Sequence, residues 1–109
     1  MLRTFIRLKA FETAWAMMGL DEEDYQKLEN QLLLNPKAGD LIPGSGGARK
    51  LRITLHGKGK RGGARVIYVD FIMESEIYLL YAYPKSVTDN LSAEELNNIR
   101  KLIKILKNG

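Results

Sequence analysis

The stretch ARKLRITLHGKGKRGGARVIY, residues 48–68, places a basic glycine-rich loop between two strand-like runs. It holds seven of the 17 Lys and Arg residues of the chain, and no acidic residue occurs from Leu41 to Val69. The rest of the chain carries ten basic and 13 acidic side chains, so the positive charge is local. A local positive field steers polyanions. The stretch therefore predicts a phosphate-rich partner, and RNA is the first candidate.

Side-chain parity along the first run predicts a strand with two different faces. In a strand over residues 49–55, Leu51 and Ile53 point to one side of the sheet. Lys50 and Arg52 point to the other side. The pattern therefore predicts a sheet that is apolar on one face and basic on the other.

Apolar periodicity and stop signals predict the other elements. The expected order is a strand over 2–8, a helix over 10–18, a helix that Asp21 caps and that stops at Asn35, strands over 49–55, 65–71 and 77–83, and a final helix that a capping box at 92–95 opens. This order, β-α-α-β-β-β-α, defines an α+β fold whose mostly antiparallel sheet has helices packed on one face. A chain of 109 residues without repeats or linkers makes one domain, residues 1–109. In the loop before the second strand, Leu41 and Ile42 are expected to pack onto the core.

Composition excludes several kinds of site. The chain has no Cys, which rules out disulfides and thiolate metal sites, and His56 is its single histidine. We therefore expect no metal and no cofactor. No apolar run is long enough to span a membrane, and the N-terminus lacks the apolar segment of a secretory signal. These features predict a cytoplasmic protein with no membrane partner.

The basic residues suit RNA cleavage, in which the 2′-hydroxyl attacks its own phosphate. That reaction needs a base, an acid and cations that stabilise the phosphorane. Clustered Lys and Arg supply the cations, and a Lys in such a cluster can have a lowered pKa. Tyr81, Tyr83 and Lys85 are candidates for proton transfer or base stacking, and His56 is a candidate acid–base group. The alternative is a solvated hairpin with a charged face.

Two runs of the chain resemble the HigB branch of the RelE/ParE toxin superfamily. They are NPKAGDLIPGSGGARK, residues 35–50, and GKGKRGGAR, residues 57–65. The segment IYLLYAYPKS, residues 77–86, and the closing helix agree with the same family. The resemblance covers essentially the whole chain and implies a RelE-like fold of the microbial-ribonuclease type.

The resemblance also implies a function and partners. It implies a toxin of a type II toxin–antitoxin system that cleaves mRNA in the A site of the translating ribosome without a metal. The implied partners are the ribosome, mRNA and a HigA-like antitoxin with a helix-turn-helix domain, and DNA only through the toxin–antitoxin complex. Two alternatives stay open: a ParE-like inhibitor of DNA gyrase that acts by binding, and a catalytically inactive module that binds nucleic acid or a partner.

The functional positions of the family are matched to residues of this chain one position at a time. Lys50 and Arg52 match the basic residues of the family's corresponding strand, and Arg65 matches an Arg that opens the next strand. Lys85 is the nearest match to a basic residue after the last strand. These four are the expected catalytic residues, and Arg65 is expected to be exposed at the end of its strand.

The acid and base are less well specified by the family pattern. Some members place a catalytic Tyr in the C-terminal segment, but no Tyr follows Tyr83 here. The role therefore stays open between Tyr83, Lys85 and His56. The residues expected to bind RNA or the ribosome are Arg49, Lys58, Lys60, Arg61 and Tyr83.

Overall fold

A computed structural model describes residues 2–54, 63–85 and 91–108. The elements of this part of the chain are β1 (Thr4–Arg7), α1 (Lys9–Met17), α2 (Glu22–Leu34), β2 (Asp40–Leu41), β3 (Arg49–Ile53), β4 (Ala64–Phe71), a 3₁₀ helix (Ile72–Glu74), β5 (Glu76–Pro84) and α3 (Ala93–Asn108). Each predicted helix and strand is present with bounds that differ by one or two residues, and β2 is an additional strand.

The strands form one sheet in the order β1-β5-β4-β3-β2. β1 runs parallel to β5, whereas the other neighbours are antiparallel, and β3-β4-β5 is the predicted meander. The short β2 pairs Asp40 with Lys50 and Leu41 with Arg49. The predicted α+β class and the mostly antiparallel sheet are therefore confirmed.

Reciprocal caps fix where α2 and α3 begin. The backbone N–H of Asp24 donates to Asp21 Oδ1 at 2.9 Å, and the N–H of Asp21 donates to Asp24 Oδ2 at 3.0 Å. At α3 the N–H of Glu95 donates to Ser92 Oγ at 3.1 Å, and that of Ser92 donates to Glu95 Oε1 at 2.9 Å. Each box satisfies two backbone donors that a helix start otherwise leaves open, which is why these sequence signals locate the helices correctly.

The helices cover both faces of the sheet, so the prediction that they pack on one face is wrong. Val66 and Tyr68 of β4 belong to the core under α1 and α2, whereas Ile67 and Val69 belong to the core under α3. Ile103 is the buried anchor of α3. A central strand that is apolar on both sides requires cover on both sides, because each exposed apolar face would lose its burial free energy.

The loop between β2 and β3 lies against α3. Ser45 is fully buried, and its hydroxyl donates to the Ile42 carbonyl at 2.6 Å and accepts from the Ala48 N–H at 2.9 Å. Arg100 of α3 donates from Nη1 to the Gly44 carbonyl at 2.9 Å. Ile42 packs onto the α3 side of the core as expected.

Leu41 departs from the sequence expectation, because its side chain is 58% exposed rather than packed onto the core. Leu41 pairs with Arg49 at the edge of the sheet, and the two-residue strand β2 has no neighbour on its outer side in the sheet as described. A side chain on such an edge has fewer neighbours to pack against.

One buried ion pair ties the start of the chain to β4. Arg3 Nε donates to Asp70 Oδ1 at 3.0 Å and Nη2 donates to Oδ2 at 3.3 Å. Their side chains are only 5% and 7% exposed. This two-point contact reaches across β5 and joins residues 67 positions apart in the chain.

Candidate functional site

Three cationic side chains, which we call the basic row, come together on β3 and β4: Lys50, Arg52 and Arg65. Arg52 pairs with Arg65 across β3 and β4, and Arg65 pairs with Tyr83 across β4 and β5. Directly paired residues project from the same face of a sheet, and Lys50 shares that face because it lies two residues from Arg52. Leu51, on the other face, belongs to the core under α1 and α2, which confirms the predicted parity.

The basic row combines three degrees of burial. Arg52 is exposed, Lys50 is half-buried and Arg65 is only 6% exposed. The expectation of an exposed Arg65 is wrong, because β4 is a central strand with neighbours on both sides. Burial restricts the rotamers of the Arg65 side chain, so its guanidinium is held more rigidly than that of exposed Arg52.

Lys85 lies at the same end of the sheet as Arg52 and Arg65. Its backbone N–H donates to the Gly63 carbonyl at 3.2 Å, and its side chain is exposed. Gly63 is the last residue of the glycine-rich loop and has a positive φ of 76°. A Cβ at this position would overlap the carbonyl oxygen of Ile53, so the chain can enter β4 in this way only with glycine.

Arg49 lies on the opposite face of β3 from the basic row. Its Nη1 donates to the Gly39 carbonyl at 2.8 Å. Tyr68 reinforces the same loop, because its hydroxyl donates to the Pro36 carbonyl at 2.7 Å and accepts from the Gly39 N–H at 3.0 Å. A Cβ on Gly39 would lie 3.0 Å from the carbonyl oxygen of Lys50. The NPKAGD run therefore has a structural role, and RNA binding by Arg49 stays a prediction.

Burial raises the pKa of Tyr68 above its ordinary value of 10.0, although the hydrogen bond from the Gly39 backbone opposes the shift. The phenol therefore stays protonated at neutral pH and keeps donating to the Pro36 carbonyl.

The two tyrosines near the end of β5 have different environments. Tyr83 is 8% exposed and belongs to the core under α3, whereas Tyr81 is 47% exposed. Base stacking requires an accessible ring face, and Tyr81 offers one. Contact between Tyr83 and RNA stays a prediction.

Four predicted site residues lie outside the described residues: His56, Lys58, Lys60 and Arg61. Within residues 2–54, 63–85 and 91–108, no group of three or more His, Asp or Glu side chains is arranged to hold a metal ion. None of the helices in those ranges is long and apolar enough to cross a membrane.

The architecture matches that of a known bacterial toxin. The structure of E. coli toxin RelE in the free state, in a mutant with two Arg-to-Ala substitutions, is similar to this chain with a TM-score of 0.61. The alignment covers 94% of this chain and 98% of that chain at 13% sequence identity. At this identity the likeness establishes a shared fold, and the predicted RelE-like architecture is confirmed.

The family follows from the sequence match. The family model described as "RelE toxin of RelE / RelB toxin-antitoxin system" matches residues 38–108, which include β3, β4, β5 and α3. The chain belongs to the RelE toxin family. It is thus the toxin of a toxin–antitoxin system, for which the family implies an antitoxin partner.

Proposed function

We propose that this chain is a ribosome-dependent mRNA endoribonuclease of the HigB type, which inhibits translation and acts without a metal. The observation that carries the proposal is the direct cross-strand pairing of Arg52 with Arg65, with Lys50 on the same face. Membership of the RelE family supports the ribonuclease activity. The cytoplasm, where translating ribosomes are found, is the expected location.

The pairing of two arginines across β3 and β4 brings two like charges together. Like charges directly opposite each other in a sheet are destabilising, and burying a cation such as Arg65 adds a desolvation cost. A bound phosphate would offset both terms, because guanidinium groups donate paired hydrogen bonds to its oxygens. We infer that the basic row is kept for an anionic ligand.

In the proposed reaction the 2′-oxygen forms a bond to phosphorus and the bond from phosphorus to the 5′-oxygen breaks. The base takes the proton of the 2′-hydroxyl, and the acid gives a proton to the leaving 5′-oxygen. Arg52 and Arg65 stabilise the negative charge that develops on the non-bridging oxygens. The candidates for the two proton transfers are Lys50, Tyr83, Lys85 and His56. The products are a 2′,3′-cyclic phosphate and a 5′-hydroxyl.

The proposed partners follow from the charge of the chain and from its family. The loop cations Lys58, Lys60 and Arg61 would hold ribosomal RNA, so binding to the ribosome should weaken steeply as salt rises. A HigA-like antitoxin would neutralise the toxin, and DNA would be reached only through that complex.

Expression without antitoxin, followed by primer extension on an induced transcript, tests the proposal. We expect cleavage within translated mRNA, and we expect Arg65→Met to slow cleavage roughly 10²- to 10³-fold, as for loss of one charge-stabilising donor. Lys27→Met is the matched control, because Lys27 is an exposed cation on α2, which covers the other face of the sheet.

Cleavage at the wild-type rate in Arg65→Met would exclude the basic row as the catalytic site. Intact transcripts together with loss of DNA supercoiling would instead favour the gyrase inhibitor. Intact transcripts with unchanged supercoiling would favour the inactive binding module.

A further inference from the structure

An open groove of about 800 Å³ lies beside the basic row, between α1 and α3 and over the end of β5. It exists because β1 is shorter than β5. β1 ends at Arg7, opposite Leu79, whereas β5 continues to Pro84. α1 passes this unpaired end of β5 and presents Ala10 and Ala14, one helical turn apart, and these small side chains leave the space open.

The groove exposes apolar surface to solvent. Met17 is 83% exposed and Tyr81 is 47% exposed, and both line the groove. The polar groups in the lining include the carboxylate of Glu95, whose Oε1 accepts from the Ser92 backbone in the helix cap. Asn98, exposed on α3, adds an amide that has both donors and an acceptor.

The groove and the basic row meet at Tyr83. Tyr83 lines the groove and is paired with Arg65, and Tyr81 is paired with Ile67, two residues further along β4. Neighbouring strands are about 4.8 Å apart and alternate residues of one strand about 6.6 Å apart. The Cα atom of Tyr81 therefore lies roughly 8 Å from the Cα atom of Arg65. A single nucleotide can span that distance with its phosphate on the cations and its base in the groove.

We propose that the groove binds a nucleobase of the RNA strand whose phosphate lies on the basic row, with Tyr81 stacking on the base and Asn98 hydrogen-bonding to its edge. The groove thereby selects which codons are cleaved. The identity of the strand as mRNA rests on the proposed function. The chemistry of the groove supports this occupant, because the cations beside it and the aromatic ring, thioether and amide of its lining match the parts of a nucleotide.

Methionine methyl groups give a binding test that does not depend on cleavage. The full chain, labelled at its methionine methyls, would be titrated with adenosine 3′-monophosphate and uridine 3′-monophosphate, and separately with ribose 5-phosphate, which has no base. Met17 and Met18 line the groove, whereas Met73 is 91% exposed in the 3₁₀ helix that follows the far end of β4.

We expect the signals of Met17 and Met18 to shift with at least one nucleotide and not with ribose 5-phosphate, and that of Met73 to stay unchanged. Tyr81→Ala should weaken this binding at least about fivefold, the low end for loss of one stacking partner. Equal shifts with ribose 5-phosphate, or no shift at Met17 and Met18, would overturn the proposal. Thermal melting of Tyr81→Ala checks that the variant is folded.

Codon-resolved cleavage on translating ribosomes tests the consequence for selectivity. Asn98→Ala should change the ratio of cleavage between favoured and disfavoured codons at least about fivefold, since a good contact to a base edge discriminates by roughly 5- to 150-fold. Met73→Ala, at the far end of the sheet, should leave the ratio unchanged.

A uniform slowing at all codons in Asn98→Ala would contradict codon selection by the groove. An unchanged codon profile together with weaker neutralisation by the antitoxin would assign the groove to the antitoxin instead. If wild-type protein leaves transcripts intact, the proposed nuclease function fails, and the methyl titration still decides whether the groove binds a nucleobase.

Discussion

A buried arginine lies at each end of β4, and the two arginines have different neighbours. At one end Asp70 receives two hydrogen bonds from Arg3, and both side chains are almost fully buried. At the other end Arg65 is equally buried, but its direct cross-strand neighbours are Arg52 and Tyr83. The first arrangement balances charge within the fold. The second places two cations directly opposite each other, an arrangement suited to binding an anion.

Substitutions at each end of β4 test this difference. Asp70→Asn leaves Arg3 buried without its counter-charge, and breaking such a pair typically costs about 3–5 kcal/mol in the free energy of unfolding. Arg65→Met keeps most of the side-chain volume and removes the charge directly opposite Arg52, so it should lower the free energy of unfolding by less than Asp70→Asn does. Urea unfolding of the two variants measures both values.

The double variant Arg3→Met/Asp70→Leu is the control for the paired end. It removes both charges, so it should recover most of the stability that Asp70→Asn loses. If Arg65→Met proves as destabilising as Asp70→Asn, the two ends are structurally equivalent and the comparison is wrong.

Two glycines test how rigid the backbone is at the Arg65 end of β4. Gly63 and Gly44 have nearly the same positive φ, 76° and 75°, but differ in what a Cβ would meet. At Gly44 the nearest atom is a Leu96 side-chain carbon at 3.5 Å, an ordinary contact, whereas at Gly63 it is the backbone of Ile53. Gly44→Ala should therefore cost about 1–2 kcal/mol for its backbone conformation alone.

Gly63→Ala should cost more than Gly44→Ala by a further 1–3 kcal/mol or so, because relieving the overlap requires the backbone to move. Thermal or urea unfolding of both variants gives the difference. Equal losses would show that the backbone at the start of β4 adjusts freely, and the basic row would then be less rigid than its burial indicates.

A further expected effect concerns Tyr68, midway along β4. Tyr68→Phe removes the hydrogen bonds to Pro36 and Gly39 and should lower the free energy of unfolding by about 1–3 kcal/mol. Because burial raises the pKa of Tyr68 in the folded state, the unfolded chain loses its proton first as pH rises. The contribution of Tyr68 is therefore complete below pH 10 and declines above it.

Stability measured between pH 8 and 11 tests this sign. Wild-type protein should lose more stability above pH 10 than Tyr68→Phe, while Tyr25, whose pKa is also raised by burial, titrates in both. Identical slopes for the two proteins would show that Tyr68 does not contribute to the alkaline loss.

Local features of the fold could be read from the sequence because they depend on residues close along the chain. The caps at Asp21 and Ser92 and the alternation of Lys50 with Leu51 were all predicted and confirmed. The sequence also indicates that helices cover both faces of the sheet, although the alternation along β3 alone does not show it. The run ARVIYVDF is almost continuously apolar, which is typical of a strand buried on both sides.

Other features had weak signals or none. The Arg3–Asp70 pair joins residues 67 positions apart, and a lone acid in an apolar strand was the only indication of it. Arg49 and Lys50 are both basic, and alternation places them on opposite faces of β3. The structural role of Arg49 depends on its contact with the Gly39 carbonyl, which only the folded chain brings within reach.

Alternation and capping act over two to four residues, so the α+β class, the local charge and the face on which Lys50 and Arg52 lie can be predicted from the sequence. The burial of Arg65 opposite Arg52, the partner of Asp70 and the groove between α1 and α3 beside Tyr81 become visible only in the folded chain. The reason is that burial and counter-charges depend on strand order and on the lengths of neighbouring strands, which bring distant parts of the chain together.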